Sequence, residues 1–172
     1  MEITLDMALS RFKKDPDYAP ATLFWNKAHF EKLLEKTGCR LPTQYKELLE
    51  TAGEFEHGFG YYFLATWPDG AQTKHELQVP FQPLQSVIDN FEIFRKGREF
   101  PDRFPHDMVF IGTADAGHTN LLANGTDPTD NAVYLWETAS DPWGTGNNTQ
   151  GLARCADTLF GFLYNLDDWD NL

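Results

Sequence analysis

The sequence predicts an α+β fold in one domain spanning residues 1–172, and three observations carry that prediction. Residues 1–52 hold apolar side chains at helical spacing. After Gly53 the pattern becomes extended, and the chain closes on an aromatic helical run from Leu159. The expected architecture is N-terminal helices followed by a mostly antiparallel sheet flanked by helices.

Taken in order, Leu5, Ala8, Leu9 and Phe12 predict a short amphipathic helix within Ile3–Phe12 that stops before Asp15-Pro16-Asp17. Asn26 is placed to cap a second helix with apolar positions at Phe30, Leu33 and Leu34, ending at Gly38. Leu41-Pro42 starts a third, with Tyr45, Leu48 and Leu49 on one face and Gly53 as a left-handed stop. Phe59–Ala65 is rich in strand formers, Trp67-Pro68-Asp69-Gly70 is a turn signal, and His75–Phe81 reads as a second strand. Pro83–Lys96 returns to helical spacing through Val87, Ile88 and Phe91, with Gly97 as its stop. Met108–Ala114 and Thr119–Ala123 predict a hairpin through Asp115-Ala116-Gly117-His118. Val133–Glu137 is a further strand, and Asp157 is expected to cap the last helix, whose Leu159, Phe160, Leu163 and Leu166 face the core.

Charge has a direction. The chain carries 14 basic and 26 acidic side chains, net −12. Residues 1–50 hold eight of each sign, residues 51–100 seven acids and four bases, and residues 101–172 eleven acids and two bases. An acidic field of this kind repels nucleic acid and anionic membrane and speeds encounter with a basic partner, and it also serves solubility. Met1–Asp6 has neither a basic start nor a long apolar run, and no segment is long enough to span a membrane, so a cytoplasmic location is expected. Cys39 and Cys155 lack metal-type spacing and read as two reduced, packed thiols.

Catalytic signatures are missing from the pattern. The five histidines show no HxxxH or HExxH spacing, and Ser10, Ser86 and Ser140 lie in no GxSxG elbow. The glycines around Trp143 precede no Walker lysine. Asp127, Asp130 and Glu137 lack the calcium-loop pattern, as does Asp167-Asp168-Trp169-Asp170, which reads as a solvated acidic tail. No catalytic residue, metal ligand or cofactor is expected, and the chain is read as a non-enzyme. Trp67 and Trp143, each beside proline and aspartate in a turn context, either anchor an interface or fold back over the sheet.

Two stretches carry a resemblance. One is Leu41, Pro42, Tyr45, Leu48, Leu49 and Gly53; the other is Phe110, Ile111, Gly112, Asp115, Gly117, Leu121 and Leu122. In this order, with Val133-Tyr134 and Phe160–Leu163 after them, they resemble the SUKH superfamily over about residues 26–166. That superfamily includes fungal Smi/Knr-like cell-wall assembly regulators and bacterial polymorphic-toxin immunity proteins. Members commonly show Asn-Gly after the early helix, where this chain has Ala52-Gly53, and His118 stands where a small or acidic residue is usual.

The resemblance implies a Smi/Knr-like domain that binds protein. The first expectation is an immunity protein that neutralises a cognate toxin, a basic nuclease-type one, with no nucleic-acid or membrane partner. The alternative is a regulatory or scaffolding interaction module. Glu54, Glu56, Trp67, Asp115, Asp127, Asp130, Asp141 and Trp143 are the expected partner-binding residues, provided they converge on one face. An aspartate in a turn also bonds backbone, which is the competing role for Asp115.

Overall fold

A computed structural model describes residues 1–16, 18–54, 60–79, 81–95, 104–137 and 152–172. The helices lie where local chemistry puts them. Thr4 caps α1 (Leu5–Leu9), which is shorter than its apolar pattern and continues as a separate 3₁₀ turn at Phe12–Lys14. Asn26 caps α2 (Lys27–Thr37): its side chain accepts from the Ala28 and His29 amides, and His29 Nδ1 accepts from the Asn26 amide at 3.1 Å. Gly38, at φ +74°, turns the chain out of α2. Pro42 precedes α3 (Thr43–Thr51), which buries Tyr45, Leu48 and Leu49. α4 spans Leu84–Arg95 and α5 spans Leu159–Tyr164.

The cap of α5 differs from expectation. Thr158, in extended backbone immediately before the first helical residue, accepts from the Gly161 amide at 3.1 Å. Asp157 sits one residue too early to reach that amide and instead pairs with Arg154 at 3.0 Å.

Among the described residues, six strands follow one another in space as in sequence: β1 (Tyr62–Thr66), β2 (Gln72–Val79), β3 (Met108–Ala114), β4 (Thr119–Asn124), β5 (Val133–Trp136) and β6 (Leu152–Ala156). Every pairing is antiparallel, and Thr66 opposite Arg154 closes the sheet into a barrel. The α+β class holds; the closure is a finding beyond it. So is β6, whose Leu-Ala-Arg-Cys-Ala carries neither β-branched residues nor a clean alternation.

Both faces of the central strands are covered. Val109, Ile111, Leu121, Ala123, Val133 and Leu135 join α1, α3 and α5 in the main core. Phe110, Leu122 and Trp136, on the opposite faces, form a second cluster with Phe104 and Phe94 of α4. Phe104 stacks on Phe110 at 4.9 Å, and Trp136 stands edge-on to Phe94 and Phe104 at 5.4 Å. Double burial explains why these strands read as unbroken apolar runs. Because successive antiparallel strands reverse direction, the β1–β2 and β3–β4 turns lie at one end of the barrel and the β4–β5 connection at the other.

Candidate partner-binding surface

At the first end, two turns are joined by hydrogen bonds. Asp115 and Ala116 take φ values of +52° and +58°, and Gly117 follows at +83°. Three consecutive left-handed residues, two of them not glycine, need outside support. The Asp115 carboxylate supplies it. Oδ1 accepts from the Glu76 amide at 3.0 Å, and Oδ2 accepts from the Thr119 hydroxyl at 2.8 Å and meets His75 Nδ1 at 2.7 Å.

The chain of bonds runs further. A carboxylate can only accept, so His75 Nδ1 carries the proton; in the neutral ring Nε2 then accepts from Thr73, whose Oγ1 is 2.6 Å away. Thr73 Oγ1 in turn accepts from Trp67 Nε1 at 2.8 Å. Trp67 is half-buried and packs on the core, so this indole is held back over the sheet on one side.

The other expected residues lie elsewhere. Glu54 is buried, and its Oε1 accepts from Trp25 Nε1 at 2.8 Å and from the Leu84 amide at 3.3 Å, tying the turn after α3 to the start of α4. Asp127 and Asp130 belong to the β4–β5 connection at the opposite end of the barrel from Trp67 and Asp115. Asp127 is exposed, and bonds from the Thr129 hydroxyl and amide hold its carboxyl below the usual range. Asp130 accepts from Asn124 Nδ2 and the Ala132 amide, both at 3.1 Å. Glu56, Asp141 and Trp143 fall outside the described residues. The five that are described therefore do not share one face.

The sequence reads Asp167-Asp168-Trp169-Asp170 as a solvated acidic tail. Asp168 and Asp170 are exposed, but residues 167–172 form a strap. Asp167 exchanges two backbone bonds with Tyr62, at 2.8 and 3.1 Å, and its carboxylate pairs with Arg11 at 2.7 Å. Lys74 Nζ donates to the Trp169 carbonyl at 2.9 Å and lies 4.8 Å from the centre of the indole, while Tyr62 meets that ring edge-on at 5.3 Å. Trp169 stays 52% exposed, the most exposed tryptophan among the described residues. An aromatic set between Asp168 and Asp170 was the available signal.

Bonds from Asn171, from the Arg11 guanidinium and from the Asp168 amide lower Asp167 to about 2. A depressed carboxylate stabilises the fold fully above its unfolded value of about 3.9, and that contribution fades as pH falls through about 2. A carboxyl-carbon NMR titration is expected to show a midpoint near 2 for Asp167, and Arg11→Gln should raise it. A wild-type midpoint near 4 would show that the strap is not closed in solution. The neighbouring Tyr61 phenol, partly buried and donating to Asp15 at 2.6 Å, is pushed up to about 12.

Cys39 and Cys155 are free thiols, each pushed up by burial. Among the described residues no three His, Cys, Asp or Glu side chains gather as a metal site needs, and no helix is long and apolar enough to cross a membrane.

None of the curated proteins matches the chain. The model of the SMI1 / KNR4 family (SUKH-1) matches residues 26–165, from the N-cap of α2 to the C-cap of α5. Both stretches that carry the resemblance, the early helix with its Gly53 stop and the β3–β4 hairpin, lie inside that span, and the chain belongs to the SMI1/KNR4 (SUKH-1) family.

Proposed function

We propose that this chain is a cytoplasmic immunity protein that binds a cognate bacterial toxin of basic, nuclease type and neutralises it stoichiometrically, without catalysis or cofactor. The observation that carries this reading is the charge distribution. Eleven acids against two bases in residues 101–172 set an acidic field on a domain whose family is compatible with immunity or protein-interaction roles. Asp127, Asp157, Asp168 and Asp170 are exposed and contribute to that field. Among the expected residues, Asp127 and Asp130 stand at one barrel end and Trp67 and Asp115 at the other, so an interface would use one end or the barrel's side.

The test is a mixture with the toxin domain encoded beside the gene. A one-to-one complex, loss of toxin activity and an association rate falling at least about tenfold from low to high salt are expected. Absence of a complex together with undiminished toxin activity would overturn the proposal.

One feature favours the second reading, a regulatory interaction module. Between α2 and α3 lies a groove of about 510 Å³ floored by Phe30, Leu33, Leu34 and Leu41. A concave groove of this size, with Lys27, Glu31, Arg40, Lys46 and Glu50 lining it beside those apolar residues, suits a short peptide segment. Binding of an endogenous protein in that groove, with no effect on any toxin, would favour it.

A further inference from the structure

We propose that the C-terminal strap presents Trp169 as the anchor for a basic surface of the partner, and that this contact is made by the parts of the chain outside the family match. The inference rests on the reading of the protein as a binder of a basic toxin, and it names the surface used.

The match covers residues 26–165, leaving residues 1–25 and 166–172 outside it. These flanks pack on the matched part. α1 packs against α5 and buries Leu5, Ala8 and Leu9, and Phe12 meets Tyr61 at 5.0 Å. Arg11 reaches across to Asp167, so the N-terminal flank fastens the C-terminal one. Together they seat the strap beside Tyr62 and Lys74 of the β1–β2 hairpin.

Three properties make the result an anchor. The indole is about half exposed, yet its backbone carbonyl, its edge contact with Tyr62 and the Lys74 ammonium fix its position, so little freedom is lost on binding. Tryptophan is prominent among residues that dominate binding energy. Its flanking residues, Asp168 and Asp170, are exposed acids, which select a cationic partner and disfavour an acidic one. The strap already holds one ammonium against the ring, from Lys74, and an arginine or lysine of the partner would find the same aromatic and carboxylate groups at its exposed side.

The experiment has two arms. With the toxin domain encoded beside the gene, Trp169→Ala is expected to weaken the complex at least about thirtyfold, chiefly through faster dissociation. Asp168→Asn with Asp170→Asn should slow association and flatten its salt dependence. Trp169→Phe, which keeps an aromatic ring on the strap, serves as the folding-safe variant, and each variant's melting curve is compared with wild type. Effects below about threefold for both Trp169 variants would overturn the inference while leaving the immunity reading standing.

If wild type fails to bind that toxin, the immunity reading falls, and the second arm decides the surface by itself. Titrating ¹⁵N-labelled protein with a hexa-arginine peptide should shift the Trp169 indole signal, and hexaglutamate should not. Shifts confined to the Asp127–Asp130 connection, or none at Trp169, would overturn the proposal.

Discussion

Gly53→Ala is expected to destabilise the fold by about 3 kcal/mol, the sum of a left-handed backbone penalty and a forced backbone shift. Gly53 follows α3 at φ +76°, where an alanine costs about 1–2 kcal/mol by itself. Space is the second cost. A Cβ there would lie 2.5 Å from the Leu23 carbonyl oxygen and 2.7 Å from the Ala21 Cβ. The Leu23 oxygen cannot retreat freely, because it accepts from the Glu54 amide at 3.0 Å, and Trp25 two residues on is bonded to Leu49. Gly60→Ala is the control: φ is +83°, but nothing lies within 4 Å of the added carbon. In a chain of this size the Gly53 variant should melt about 6–12 °C below wild type and the control by about a third to two thirds of that. Equal losses would mean that the approach of residues 21–23 contributes nothing.

The same turn shows what local sequence can carry. Ala52, where members of the family commonly have asparagine, sits at φ −109°, an ordinary right-handed value, and its amide bonds to Leu48; the following glycine alone bears the conformational demand. Asn26, Gly38, Pro42 and the hairpin at 115–118 were legible for a like reason. A cap or a left-handed stop acts within four residues of itself, so its chemistry is written locally. Barrel closure is not of that kind. It depends on Thr66 meeting Arg154, 88 positions away, through a strand whose composition favours nothing in particular.

The candidate site divides the same way. That residues 101–172 are acidic follows from counting. Which of the expected acids face outward does not, because Asp115, within that span, is spent on β2, and Glu54, before it, on Trp25 and on the start of α4. Both partners stand some 30–40 positions away, beyond the reach of pattern. Trp169 was hidden by the opposite error: its acidic neighbours look like a solvated tail until Arg11, from the other end of the chain, is seen to hold Asp167 and with it the segment.

Asp115→Ala should cost about 3–4 kcal/mol, more than an exposed turn aspartate usually would. The replacement puts an alanine at φ +52°, worth about 1–2 kcal/mol, because aspartate tolerates that region through local bonding and alanine does not. It also removes the acceptor of three bonds. The Glu76 amide loses its side-chain acceptor, the buried Thr119 hydroxyl loses the bond to Oδ2, and His75 is left facing an apolar methyl. Bonds to a charged acceptor are worth about 1.5–3 kcal/mol each before relaxation and water recover part of the loss. Asp115→Asn isolates the components, since asparagine keeps the tolerance for left-handed backbone and retains an oxygen acceptor; a loss of about 1–2 kcal/mol is expected. Hydrogen exchange reads the role directly. The Glu76 amide should exchange at least about tenfold faster in Asp115→Ala, and Trp67, released at the far end of the Thr73–His75 chain, should show a shifted indole signal. If stability and the Glu76 amide are unchanged while partner binding is lost, Asp115 acts on the partner and not on the turn. Loss of stability with binding preserved at low temperature would assign the carboxylate to holding the two turns together, and would leave recognition to the exposed groups around them.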